Sequence, residues 1–321
     1  MSGQGTKIVA ASVLVLLAIA GAWLWLRFSL ESEVQRMLAR IERDSKGAVK
    51  VTAGEVSVEP ILRRATLRQV VVELRSSQNK SVTLRVDGLD VKQWKPVGDG
   101  SSLLREQALE WHDITSPQLN AALARMPDSV KKLTGGTLAF DFSHSMSYRP
   151  EQENELDLDA TVSCAKLGQL GLRLTTSGID LKRLDQITRE QQARGVFDPV
   201  LQSRMLPAFA QAWLRGARLS VRNAGLFEVI VALSAARDGL TWDQERRKMQ
   251  QQLRLKCASE PWTRRVCPAL ATFLERPKSL SLTLAPMAPV ELSGLPMTAL
   301  SGGPAAVMDQ LRLSLVANQE P

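Results

Sequence analysis

Between Lys7 and Arg27 the chain runs from Ile8 to Leu26 for nineteen residues without a charge. At the helical rise of about 1.5 Å per residue, that length crosses the hydrocarbon core of a bilayer. The segment 8–28 therefore reads as a transmembrane anchor, with Ile8, Leu16, Trp23, Trp25 and Leu26 as its anchoring residues. Trp23 and Trp25 suit the interfacial aromatic belt. A cleaved signal peptide is the competing reading, because Ala18-Ile19-Ala20 before Gly21 has the form of a cleavage site. The apolar text continuing through Leu26 favours the uncleaved helix.

Residues 1–7 are then a cytoplasmic tail, and everything after Arg27 lies on the far side. Arg27, Arg36, Arg40 and Arg43 follow the anchor and oppose that direction, but long domains translocate largely regardless of such charges. The expected location is the bacterial inner membrane, single-pass, with a periplasmic C-terminal domain.

The remaining chain is long enough for one large or two small domains. Aromatic residues make up only 5% of the 321 and Tyr148 is the sole tyrosine, so the core must be built from Leu, Val and Ala. The net charge of +8 is spread along the chain, the pattern of a basic solvated surface. Of the three cysteines, Cys257 and Cys267 are placed to bridge in an oxidising compartment, while Cys164 falls on an alternating strand as a small apolar residue.

Leu30, Val34, Met37, Leu38 and Ile41 recur at helical spacing, an amphipathic extension over 29–46. The period then becomes two. Val49 and Val51 give way to Val56 and Val58 across Ala53-Gly54, and Val82, Leu84 and Val86 give way to Leu89 and Val91 across Asp87-Gly88. Such phase changes mark bulges or bends in long strands, or turns between short ones. Leu170, Leu172 and Leu174 precede Ile179 and Leu181 across Ser177-Gly178, which reads as a strand end leading into a helix. Phe140 to Tyr148 and Leu156 to Cys164 alternate on either side of a polar turn, an antiparallel hairpin. Leu280 to Leu284 and Leu311 to Leu315 are further strands with one greasy face.

Helices are expected from Ser116-Pro117 through Val130, with Leu119, Leu123 and Met126 inward, and from Asp198-Pro199 to Gly216, burying Leu201, Met205, Phe209 and Trp213. Others start at Asn223, at Thr241 with Gln244 in capping-box spacing, and at Cys267-Pro268. The expected fold class is α+β: a single N-terminal transmembrane helix followed by a periplasmic domain of antiparallel, bulged strands packed with helices. A β-rich N-terminal portion over 47–134 precedes an α+β C-terminal portion over 135–321.

Catalytic motifs are missing. His144 beside Ser143 and Ser145, with Asp141 and Asp113, has the residue types of a hydrolase but no nucleophile elbow, and no phosphate-binding loop occurs. Glu155, Asp157 and Asp159 alternate on a wet strand face without the glycine and bidentate glutamate of a calcium loop. Gly225 after Asn223 reads as ordinary capping. The expectation is a protein that is not an enzyme, with no catalytic residue, no metal and no cofactor. Aromatics are too few for nucleic-acid binding.

The strands Val49-Lys50-Val51, Val56-Ser57-Val58-Glu59-Pro60, Ala65-Thr66-Leu67 and Val82 to Val91, following an anchor and a short helix, resemble the start of AsmA-like inner-membrane-anchored periplasmic envelope proteins. The resemblance covers about the first 95 residues and implies a role in envelope biogenesis or lipid homeostasis. The text Phe273 to Leu280 and Ala285 to Val290 is similar to the end of periplasmic proteins of proteobacteria, a likeness that implies no activity.

A one-sided Leu/Val sheet either covers its greasy face with its own helices or leaves a groove. The expected groove is lined by Val49, Val51, Val56, Val58, Val82, Leu84, Val86, Leu89 and Val91. Expected partners are the lipid bilayer, acyl chains, and other envelope proteins. The alternative role is an accessory or assembly subunit of a larger inner-membrane complex.

Overall fold

Period-two alternation builds one antiparallel sheet that runs through nearly the whole chain. The computed structural model describes residues 35, 39, 42–43, 49–59, 64–75, 81–96, 104–181, 183, 186–187, 190, 211–259 and 261–319. The strands are β1 (Val49–Thr52), β2 (Glu55–Glu59), β3 (Arg64–Arg75), β4 (Ser81–Pro96), β5 (Leu104–Ile114), β6 (Phe140–Arg149), β7 (Glu155–Cys164), β8 (Gly168–Ser177), β9 (Trp213–Asn223), β10 (Ser279–Leu284), β11 (Val290–Glu291) and β12 (Ser314–Ala317). Their order is β1-β3-β4-β5-β6-β7-β8-β9-β10-β12, with β2 beside β1 on the edge of β3 and β11 pairing β9. Because β5 and β6 are hydrogen-bonded neighbours, the sheet continues across the Thr134-Gly135 helix stop.

The helices are α1 (Pro117–Leu123), α2 (Asp128–Thr134), α3 (Leu226–Asp238), α4 (Trp242–Ser259), α5 (Cys267–Glu275) and α6 (Leu295–Gln310). Local chemistry sets their starts. Ser116 Oγ accepts from the Leu119 amide at 3.4 Å, opening α1. Thr241 and Gln244 exchange hydrogen bonds of 2.8 and 3.3 Å ahead of α4. Asn223 Oδ1 accepts from the Phe227 amide at 2.8 Å at the start of α3, and Gly239 closes that helix at φ 65°.

Several expectations need correction, among them the strand expected over Leu311 to Leu315, which is β12 at Ser314–Ala317 with Leu311 at the end of α6. Strand accounts for 43% of the structure, so the fold is dominated by antiparallel sheet, not an α+β balance. Among the described residues no helix is long and apolar enough to cross a membrane. The longest, α4, carries Asp243, Glu245, Arg246, Arg247 and Lys248 within its first two turns, which hydrocarbon would not solvate. The single-pass topology and the inner-membrane and periplasmic location are therefore withdrawn. Ile8, Leu16, Trp23, Trp25 and Leu26 lie outside the described residues. Finally, Trp213 and Gly216 belong to β9, not to a helix, because Ala217, Leu219 and Val221 alternate and pair on both sides. Leu201, Met205 and Phe209 lie outside the described residues.

The helix expected through Val130 is two helices. Pro127 has no amide hydrogen to continue the first, and at ψ 150° it stands outside the helical range as the residue that precedes the second. Leu119 is exposed, while Leu123 and Val130 are buried.

The two early phase changes are one structural feature. Gly54, Gln69, Asp87 and Asp113 fall on a single line across the sheet, and Gln69 and Asp113 both hold φ 52°. The Gly54 amide donates to Arg68 O at 3.0 Å on this line. Pairing between β3 and β4 keeps its register through it, so all these strands switch pleat together and keep one greasy face. The extra residue is absorbed as a bulge between Trp111 and Ile114 of β5 against β6, where the Asp113 amide donates to Asp141 Oδ1 at 3.0 Å.

Candidate functional site: an uncovered apolar trough

On the central strands the ladder places aliphatic side chains opposite one another. Val162 of β7 faces Leu170 of β8, Leu172 of β8 faces Leu219 of β9, and Leu219 faces Leu282 of β10. Phe142 and His144 of β6 face Val162 and Ala160, extending the same rows. Directly opposed residues share a face, so these rows form one continuous apolar surface.

Both ends of that surface are covered. At one end Leu123, Leu138 and Cys164 form a buried cluster with Met126, Phe140 and Leu167. At the other, Leu214, Val290 and Leu311 pack with Leu174, Ala217, Leu284 and Val307. Between them Val162, Leu170, Leu172 and Leu219 remain 37, 45, 38 and 39% exposed. Strands on both sides flank these residues, so their exposure is not an edge effect. The result is a trough that runs across the strands. From β6 to β10 it crosses four strand gaps of about 4.8 Å, or about 19 Å.

The early strands carry a different arrangement. Val58 and Val86 are buried with Ala65, Leu67, Val70 and Val72, and Val49, Val51, Val56, Leu84, Leu89 and Val91 pack against that cluster. Val82 alone of the groove residues is exposed, at 42%. The surface expected to be open here is largely filled by its own side chains, and the open one lies on β7–β9. Leucine alternation on β8 and β9 was the available signal, but it does not report which rows the helices cover.

The remaining constellations separate. Ser143 and Ser145 flank His144 along a strand and so point to the opposite face, apart from the imidazole. His144 stacks on Phe142 at 5.9 Å, and its Nδ1 is buried without a partner. Burial pushes its pKa below the ordinary value. Glu155 and Asp157 pair with Arg149, and Asp159 with Arg173 at 2.8 Å, so guanidinium groups occupy that acidic series. Asp157, Asp159 and Arg173 line a hollow of about 480 Å³, with Glu106, Ser147 and Thr175. Gly225 precedes α3 at φ 158°. Cys257 and Cys267 are disulfide-bonded with their Cα atoms 6.0 Å apart, tying the end of α4 to the start of α5, and Cys164 is a buried free thiol. A group that sequence reasoning missed is Asp90, Glu110 and His112, drawn together from β4 and β5 with metal-ligating atoms.

The profile of a family described as "Uncharacterized protein" matches residues 161–318. That span contains Val162, Leu170, Leu172 and Leu219, and stops short of the early strands. The comparison with curated proteins returned no match.

Proposed function

We propose that this protein binds an anionic single-chain amphiphile, of the fatty-acid class, in the trough formed by β6–β10. The carrying observation is that four contiguous aliphatic side chains stay open between two covered strand ends. An exposed apolar patch on central strands marks a binding surface. From β6 to β10 the trough is about 19 Å long, against the ~15 Å that one acyl chain, half of the ~30 Å bilayer core, spans, so one chain fits within it. Each methylene moved from water onto this surface contributes about 0.8 kcal/mol. The net charge of +8 favours an acidic headgroup. The resemblance of about the first 95 residues to AsmA-like proteins implies a role in lipid homeostasis, in keeping with a lipid ligand.

Titration with a fluorescent fatty acid tests this reading. Wild-type protein should bind it, and Leu172→Asp with Leu219→Asp should abolish binding while the far-ultraviolet circular dichroism stays unchanged. Undiminished binding by the double variant would overturn the assignment. So would a wild-type protein that binds no fatty acid and instead forms a dimer dispersed by the same substitutions.

A further inference from the structure

We propose that Asp90, Glu110 and His112 form a binding site for a divalent first-row metal cation of the Zn²⁺ type, on the sheet face opposite the apolar rows. Asp90 and Glu110 are direct partners across the β4–β5 ladder, and His112 lies two residues beyond Glu110, on the same face. Their ligating atoms all lie within 4.8 Å of one another. His112 Nε2 is 3.2 Å from Asp90 Oδ2 and 3.9 Å from Glu110 Oε2. Nitrogen and oxygen ligands about 2.1 Å from a tetrahedral zinc stand about 3.4 Å apart, and the two measured separations bracket that spacing.

The far oxygen of each carboxylate is already engaged. Thr66 Oγ1 donates to Asp90 Oδ1 at 2.7 Å, and Lys92 Nζ pairs with Glu110 Oε1 at 2.5 Å. Each near oxygen is thereby turned toward His112. In the cation-free chain His112 Nε2 and Asp90 Oδ2 share a hydrogen bond, and a bound cation takes the place of its proton, leaving the imidazole proton on Nδ1. Outer partners such as Thr66 orient ligands in this way in metal sites. All three ligands sit on paired strands, which hold their spacing better than a loop would. Three protein ligands leave one coordination position open to water or an exogenous anion. Lys92, paired with Glu110, and Arg68, lying beside Gly88, offset the two carboxylate charges and so lower the affinity of the site for a cation.

The chain has two histidines, which makes the test direct. Zn²⁺ is titrated into full-length protein carrying ¹⁵N-labelled histidine, and both imidazoles are followed by NMR. His112 Nε2 should shift and saturate at one Zn²⁺ per chain, while His144 stays still. His112→Ala should lose that equivalent in equilibrium dialysis, and Thr66→Ala should weaken binding by about tenfold or more, with Thr66→Ser restoring it. These residues line the polar face, so circular dichroism confirms that each variant folds. An unmoved His112 at millimolar Zn²⁺, or a full equivalent still bound by His112→Ala, would overturn the proposal.

Discussion

Leu172 and Leu219 face each other across the β8–β9 ladder, and each leaves more than a third of its surface open. Leu67, on the same sheet, is 3% exposed in the cluster of the early strands. The contrast isolates burial from residue type. Leu67→Ala should cost about 2–5 kcal/mol in urea unfolding, whereas Leu172→Ala should stay within about 0.5 kcal/mol. Equal losses would show that the trough is packed in solution.

Asn223 joins three elements through one side chain. Its Oδ1 accepts from the Phe227 and Gly225 amides at 2.8 and 3.3 Å, while Nδ2 donates to Glu228 at 2.9 Å and to Pro277 O at 2.7 Å. Asn223→Ala removes the cap of α3 and its tie to the start of β10 together. Thermal or urea unfolding should show a loss of about 1–2 kcal/mol. Asn223→Asp keeps the cap but opposes Glu228, so it should also destabilise, and the loss should shrink when acid neutralises the carboxylates.

The His144 imidazole sits below its ordinary 6.5 because burial strips water from the charged form. Below pH 6.5 the unfolded chain takes up a proton that the folded chain refuses. Stability therefore rises with pH across the window between the lowered folded value and 6.5, and flattens on both sides. Unfolding free energies from pH 4.5 to 8 should show this slope in the wild type, and His144→Leu should remove it. A variant with the wild-type slope would assign the dependence to other groups.

The Cys257–Cys267 bridge closes a short loop, ten residues apart in sequence. Loop-closure entropy assigns it roughly 2–3 kcal/mol. Dithiothreitol should lower the urea midpoint accordingly, and Cys257→Ser should match the reduced wild type and lose its sensitivity to reductant.

Local features were legible in the chain to a useful depth. Val49 to Val58 and Val82 to Val91 announced their phase changes, because a side-chain period of two cannot slip without changing faces. Ser116, Thr241 and Asn223 announced helix starts, because capping is settled within four residues. The stretch ending at Trp213 and Gly216 misled, since Ala217, Leu219 and Val221 pair with β8 and β10, which are distant in sequence. The apolar run from Ile8 to Leu26 suggested a location that no described helix supports. Pairings between remote segments are what propensity does not encode.

The candidate sites divide in the same way. Alternating Leu170, Leu172 and Leu174 stated that one face of that strand is greasy, whereas Glu110 and His112, two residues apart, went unread as ligands because no motif spacing marks them. By itself the sequence determined most of the strands, their apolar and polar faces and most helix starts, because each depends on residues close along the chain. Only the tertiary structure decided that early Val side chains bury one another, that Leu172 and Leu219 stay open, and that Asp90 comes to His112. Coverage and convergence depend on which remote elements pack together, and that is set by the assembled sheet.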